Sequence, residues 1–243
     1  VPVNERHYLE WRACECFADI AMSNNYSEAN ITGELDPERV PMSRVTPNTF
    51  DLLGVQAQIG RTFLPSDGQE GLDQVVVLSD GLWRRRFGGD PGVLGSTIGL
   101  NGTNATVIGV LPPGFRHYDR SRMAPDGRVD VFVPWIVSPG SGIGWFGTFN
   151  FEVLARLRDG GSLDAARQEI NVIQAAIAER FDPQFSEVDL RADVTPLRES
   201  LTGQSRSGLF LLLGAVGVAL LVACLNVANL MLVRARRSAG AAA

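Results

Sequence analysis

The 243 residues include 45% hydrophobic and 20% charged side chains and carry a net charge of −5, an ordinary globular balance without the basic footprint of a nucleic-acid-binding surface. All 22 basic residues are Arg, so the chain can hold neither a Walker A phosphate loop nor a Schiff-base lysine. Three cysteines, Cys14, Cys16 and Cys224, are too few for a disulfide framework.

Residues 4–17 read as a helix whose larger hydrophobes are Tyr8, Leu9, Trp11 and Phe17. Cys14 and Cys16 fall at its end, two positions apart, too close for an unstrained mutual bridge on a helix or strand. They read as two small residues, and a C-x-C without further Cys or His is weak as a metal site. The first residues show no charged-then-apolar leader, so export would depend on an element upstream. Residues 39–46 have the look of a strand, and Pro47-Asn48 opens a short helix to residue 53. Residues 74–79 form a buried β run. Residues 80–87 follow as a helix whose Arg84, Arg85 and Arg86 read as a solvated face rather than an anion site.

Asn101-Gly102 between apolar stretches, within 96–108, is the strongest hairpin signal in the chain. The strand that follows must break at Pro112-Pro113-Gly114. Asp119, Asp126 and Asp130 with Arg120, Arg122 and Arg128 read as a charged surface loop. Residues 129–135 are another strand, and the Gly-rich 138–147 a loop or junction. Residues 150–157 alternate as a strand, a Gly160-Gly161 turn follows, and Ser162 caps a helix to about residue 180. That helix keeps Leu163, Ala166, Ile170, Ile173, Ile177 and Phe181 on one stripe. A strand is expected over 188–197.

Residues 209–233 run twenty-five positions without a charge. A helix rising about 1.5 Å per residue would cross a hydrocarbon core of about 30 Å. Arg234, Arg236 and Arg237 crowd its C-terminal end, as on a cytoplasmic side, which places the large N-terminal domain outside the cytoplasm. Ala215, Ala219 and Ala223 form a small-residue stripe, with Asn226 and Asn229 on or beside it, a pattern suited to packing against other membrane helices.

The chain offers no catalytic pattern. His7 and His117 are the two histidines, neither has a partner at metal-ligand spacing, and there is no G-x-S-x-G or H-E-x-x-H motif. No catalytic residue, cofactor site or metal site is expected, and no enzyme.

Several long stretches resemble one family. RVTPNTFDLLGVQAQIGRTF (44–63), VVVLSDGLWRRRFGGDPGVLGSTIGLNG (75–102) and TVIGVLPPGF (106–115) are similar to the periplasmic core domain of MacB-type, FtsX-like ABC transporter permeases, in particular the duplicated orphan branch without a fused ATPase. RLRDGGSLDAARQEI (156–170) and the run 194–235 are similar to the last βα unit of that domain and its following membrane helix.

The resemblance implies an α+β, two-lobed periplasmic core domain, a βα-type lobe with an inserted β-rich lobe, followed by one transmembrane α-helix. It places the core domain at 1–205, with the first lobe at about 1–64 and 146–205 and the insertion at about 65–145. The membrane helix then spans 208–234 and a short cytoplasmic tail 235–243. It implies a non-catalytic permease segment in a bacterial inner membrane. That segment would couple a separate cytosolic ATPase to movement of the extracytoplasmic domain, in efflux or mechanotransmission. Its partners would be that ATPase, further permease helices and a second permease chain in a homo- or heterodimer. The alternative is a membrane-anchored extracytoplasmic sensor or scaffold domain without transport, or a truncated non-functional fragment. Two departures stand out: RRSAGAAA occupies the place of the family's E-x-A-[VIL]-R segment, which suggests a fragment or truncated product, and Cys14 and Cys16 are unusual for the family.

Overall fold

The computed structural model describes residues 3, 5–24, 27–33, 36–118, 127–137, 151–181, 192–201, 213–222 and 224–225. The chain divides into two compact units, Val1–Thr195 and Pro196–Ala243.

The first unit is a mixed α+β domain. In chain order it comprises α1 (Glu5–Trp11), β1 (Phe17–Asn24), β2 (Ser27–Thr32), β3 (Glu38–Val45), α2 (Thr49–Leu53), β4 (Ile59–Gly60), β5 (Val75–Leu78), α3 (Asp80–Phe87), β6 (Thr97–Leu100), β7 (Thr103–Val110), β8 (Val131–Pro134), β9 (Phe151–Leu157) and α4 (Leu163–Phe181). The sheet order is β2-β6-β7-β5-β8-β3-β1-β9, and β2 also pairs with β3. Six strands therefore close into a ring, with β1 and β9 extending from β3. A ring leaves no open edge along its closed part, which removes the hazard of unpaired backbone groups.

Register follows side-chain chemistry. On β5, Val76 and Leu78 enter one apolar cluster and Val77 the opposite one; on β8, Val131 and Phe132 part in the same way. Both strands are thus buried on two faces, which suits their uninterrupted Val-rich sequences. The first cluster draws on all six ring strands, with Leu82 and Trp83 of α3 packed against it. The second centres on Phe50, Phe63 and Phe132, with Phe50 and Phe132 edge to face at 5.3 Å between ring centroids. A third cluster fills the space among α1, α4, β1 and β9 with Tyr8, Phe17, Ile20, Met22, Ala166 and Ile170.

Local signals explain the elements that the sequence marks clearly. Asn101 and Gly102 adopt φ of 51° and 86° between paired Leu100 and Thr103, the left-handed pair that a two-residue hairpin turn requires. Ser79 caps α3 by accepting from the Leu82 amide at 3.1 Å, and Ser162 caps α4 through the Ala165 amide at 3.1 Å. Each hydroxyl satisfies an amide that the helix itself leaves unpaired. On the expected α4 stripe Ala166, Ile170 and Ile177 are buried.

Three expectations are corrected. The helix read over 4–17 stops at Trp11, and the chain turns before β1 starts at Phe17. In that turn Cys14 and Cys16 are joined in a disulfide, with their Cα atoms 5.3 Å apart. On a helix or a strand two cysteines so spaced could not meet without strain; a turn, the conformation found here, swings the two Cβ atoms together. Finally, the part of the strand expected at 188–197 that is described, 192–196, is not a strand, and residues 197–201 are helical. Side chains of α4 satisfy the backbone at 192–194 instead. Asn171 bonds both the carbonyl and the amide of Ala192 at 3.2 Å, and Arg167 Nε donates to the Val194 carbonyl at 2.8 Å. The expected loop at 138–147 lies outside the described residues.

In the second unit residues 213–222 are helical and exposed at every position. Leu213, Val216, Val218, Leu220, Leu221 and Val222 all present more than half of their surface. Among the described residues no helix is long and apolar enough to cross a membrane.

Candidate functional site

Among the described residues, two polar joints tie helices to the sheet. The first ties α3 to the ring. Arg85 Nη2 donates to Glu38 Oε1 at 2.8 Å and to Asp130 Oδ2 at 2.9 Å, while Ser79 Oγ donates to Asp130 Oδ1 at 3.0 Å. Arg86, its side chain only 6% exposed, donates to the Asp36 carbonyl at 2.8 Å and reaches Glu38 at 3.4 Å. The Arg run is therefore a solvated face only in part: Arg84 and Arg85 are exposed, with Arg84 paired to Asp80 one turn earlier at 2.9 Å, while the Arg86 side chain is buried. Asp130 likewise departs from the surface-loop reading, since its side chain is 2% exposed. Asp130 sits in the apolar strand sequence Val129-Asp130-Val131-Phe132, and that placement was the available signal. Asp119, Arg120, Arg122 and Asp126 lie outside the described residues.

The hydrogen bond from Arg84 holds the Asp80 carboxyl below its usual range, against the opposing effect of burial. Burial alone would lower the Arg85 guanidinium, but its bonds to Asp130 and Glu38 outweigh that and raise it. Charges tied this way gain through paired, charge-assisted hydrogen bonds.

The second joint fastens α1 into the domain. Trp135 Nε1 donates to buried Glu5 Oε1 at 2.9 Å. Val3 and Phe151 exchange backbone bonds at 3.0 and 3.2 Å at the start of β9. His7 Nε2 and Gln174 Nε2 of α4 lie 3.0 Å apart, both residues buried. Burial lowers the His7 imidazole to about 4 from its usual 6.5, so this histidine is neutral at pH 7 and carries no proton traffic there. Sequence reading missed Glu5, Trp135 and Gln174 because each is unremarkable until α1, α4 and the end of β8 meet.

Of the helix-packing residues read from the sequence, Ala215 and Ala219 fall on the exposed helix 213–222. Four residues apart, they share a face. Ala223, Asn226 and Asn229 lie outside the described residues.

With this ring, its two-strand extension and its flanking helices in view, comparison with known proteins is informative. The model of the MacB-like periplasmic core domain matches residues 3–173. The chain belongs to that family. The core-domain resemblance read from the sequence is thereby borne out. Among curated relatives, the macrolide export ATP-binding/permease proteins MacB of Burkholderia thailandensis and Burkholderia pseudomallei are each 28% identical over 194 residues, 79% of this chain. The match covers 27% of those relatives, so the chain spans about a quarter of their length.

Solved structures share the fold at low identity. The extracellular domain of the noncanonical ABC-type transporter YknZ from Gram-positive bacteria aligns with a TM-score of 0.54 and 17% identity, over 72% of this chain and 83% of that one. The periplasmic region of MacB from Actinobacillus actinomycetemcomitans aligns at 0.54 and 16%, over 71% and 72%. A domain of a permease protein from Porphyromonas gingivalis aligns at 0.53 and 17%, over 78% and 84%. The MacB-like domain is thus recognisable by its strand arrangement where sequence has largely diverged.

Proposed function

We propose that the chain is the extracytoplasmic core domain of an ABC-type transporter permease together with the membrane helix that follows it. In this reading it performs no bond chemistry. A separate cytosolic ATPase moves the membrane helices, and they move the domain, in efflux or mechanotransmission across a bacterial inner membrane. The match to the MacB-like family over residues 3–173 carries the reading. The all-apolar exposed helix at 213–222 supports it, because a helix that is apolar all round needs lipid or protein cover.

The membrane helix extends over 208–234 in this proposal, with the large domain outside and the tail 235–243 in the cytoplasm. The lobes are about 1–64 with 146–205, and about 65–145. Ala215, Ala219, Ala223, Asn226 and Asn229 then face further permease helices or a second permease chain.

The test is co-purification from membranes in mild detergent. The protein with its neighbouring permease helices should bring down an ABC ATPase, and Asn226→Leu with Asn229→Leu should weaken that assembly. Repeated recovery without an ATPase, together with substitutions that change nothing, would instead mark an anchored sensor or scaffold.

A further inference from the structure

The turn between α1 and β1 holds a group of ligand atoms that the transport reading leaves unused. Cys14 Sγ, Cys16 Sγ and a carboxylate oxygen of Glu169 on α4 lie within 4.8 Å of one another. Cys14 is buried, whereas Cys16 and Glu169 are half-buried, so solutes can reach the group from one side. Bonds other than the disulfide hold the surrounding backbone. The Ala13 amide donates to the Glu10 carbonyl at 3.1 Å, the Cys14 amide to the Trp11 carbonyl at 3.0 Å and the Arg158 amide to the Cys16 carbonyl at 3.1 Å. The Glu15 amide donates to Glu169 Oε1 at 2.8 Å, which fixes the carboxylate beside the two sulfur atoms.

We propose that Cys14, Cys16 and Glu169 form a redox-gated site for a thiophilic divalent cation such as Zn²⁺, closed while the disulfide stands and open once it is reduced. Two thiolates and a carboxylate supply three ligands of the kind Zn²⁺ accepts, leaving a fourth tetrahedral position to water. A purely structural staple accounts for little here, because a bridge across so short a loop restrains the unfolded chain least.

The chemistry balances with an external dithiol as reductant. Its thiolate attacks the more accessible Cys16 Sγ, the Cys14–Cys16 bond breaks and a mixed disulfide forms. The second thiol of the reductant then displaces Cys16 and closes the reductant's own disulfide. Two electrons and two protons have passed to the cysteines. The cation displaces both protons as it binds, so affinity rises with pH.

The experiment uses the full chain in mild detergent, carrying Cys224→Ala to remove the third of its three cysteines, with Cd²⁺ as the probe. After reduction by a dithiol and anaerobic removal of the reductant, the chain should bind one Cd²⁺ with a thiolate-to-metal charge-transfer band. The oxidised chain should bind none. Glu169→Gln should keep the band but weaken binding roughly tenfold or more, and the double variant Cys14→Ser, Cys16→Ser should abolish the band. The proposal is overturned if the reduced chain takes up no more Cd²⁺ than the oxidised one, or if the band survives the double variant. Undiminished affinity in Glu169→Gln overturns it as well, and so does loss of the near-UV tryptophan dichroism on reduction. Should the double variant fail to fold, comparing the reduced and oxidised parent decides the matter without it. None of these outcomes touches the transport reading, which rests on other residues.

Discussion

Acid should destabilise the domain through His7, and the size of the effect follows from its burial. His7 is 5% exposed on α1, packed against the Trp11 ring at 5.9 Å between centroids and beside Gln174. Burial lowers its pKa to about 4, against 6.5 for the ordinary group. Between those values the unfolded chain takes up a proton that the folded chain refuses. Stability is therefore intact above pH 6.5, falls as the pH drops towards 4, and loses nothing more to this group below that. Linkage gives a loss of about 2 kcal/mol between pH 7 and pH 5, and about 3 kcal/mol once the drop is complete. Asp80, held low by its hydrogen bond from Arg84, keeps its carboxylate charged throughout this range and costs stability only in stronger acid, so the difference from a His7 variant isolates the histidine. Unfolding of the chain and of His7→Gln would be followed by tryptophan fluorescence in mild detergent at pH 7, 6 and 5. The chain should lose about 2 kcal/mol relative to the variant over that range. Because it has two histidines, proton NMR can also read the His7 titration directly. A gap that does not change with pH, or a His7 resonance titrating near 6.5, would refute the reasoning.

Asp130→Ala should cost about 2 kcal/mol by chemical denaturation, less than a fully buried pair because Arg85 is partly exposed and keeps Glu38. Arg84→Ala, which removes an exposed pair one turn apart on α3 and a guanidinium 5.5 Å from the Trp83 ring centroid, should leave stability nearly unchanged in the same assay. At Gly109→Ala the new Cβ would stand 2.0 Å from the Arg61 carbonyl oxygen. The β4–β7 pairing must therefore give way, lowering stability by about 3 kcal/mol, with faster hydrogen exchange at Arg61 and Gln58 as the local sign. Phe132→Ala removes a ring that touches Phe50, Phe115 and His117, and should cost about 3–5 kcal/mol in thermal or chemical unfolding.

What the sequence by itself determined is local. The Asn101-Gly102 turn, the cap at Ser162, the Val-rich run of β5 and the α4 stripe depend on residues a few positions apart. Their physics was therefore legible without tertiary contacts. Family membership was legible for a related reason, since the stretches 44–63 and 75–102 that carry the resemblance each run through several adjacent elements. Tertiary structure decided what depends on distant partners. β1 and β2 are weakly marked because Asp19, Ser23, Glu28 and Asn30 interrupt their apolar pattern, and ladders with β9, β3 and β6 hold them in place. Closure of the ring through β2 and β3 cannot be read from either strand alone. Asp130 and Arg86 look solvated in sequence; their side chains are buried because α3 lies over the ring, where Arg85 of α3 meets Asp130 and the Asp36 carbonyl meets Arg86. The Cys14–Cys16 bond belongs to the same class, since its geometry came from a turn whose end is set where the amide of Arg158, just after β9, donates to the Cys16 carbonyl. Short-range chemistry thus fixed the parts, while burial and pairing across the chain chose which polar residues became joints.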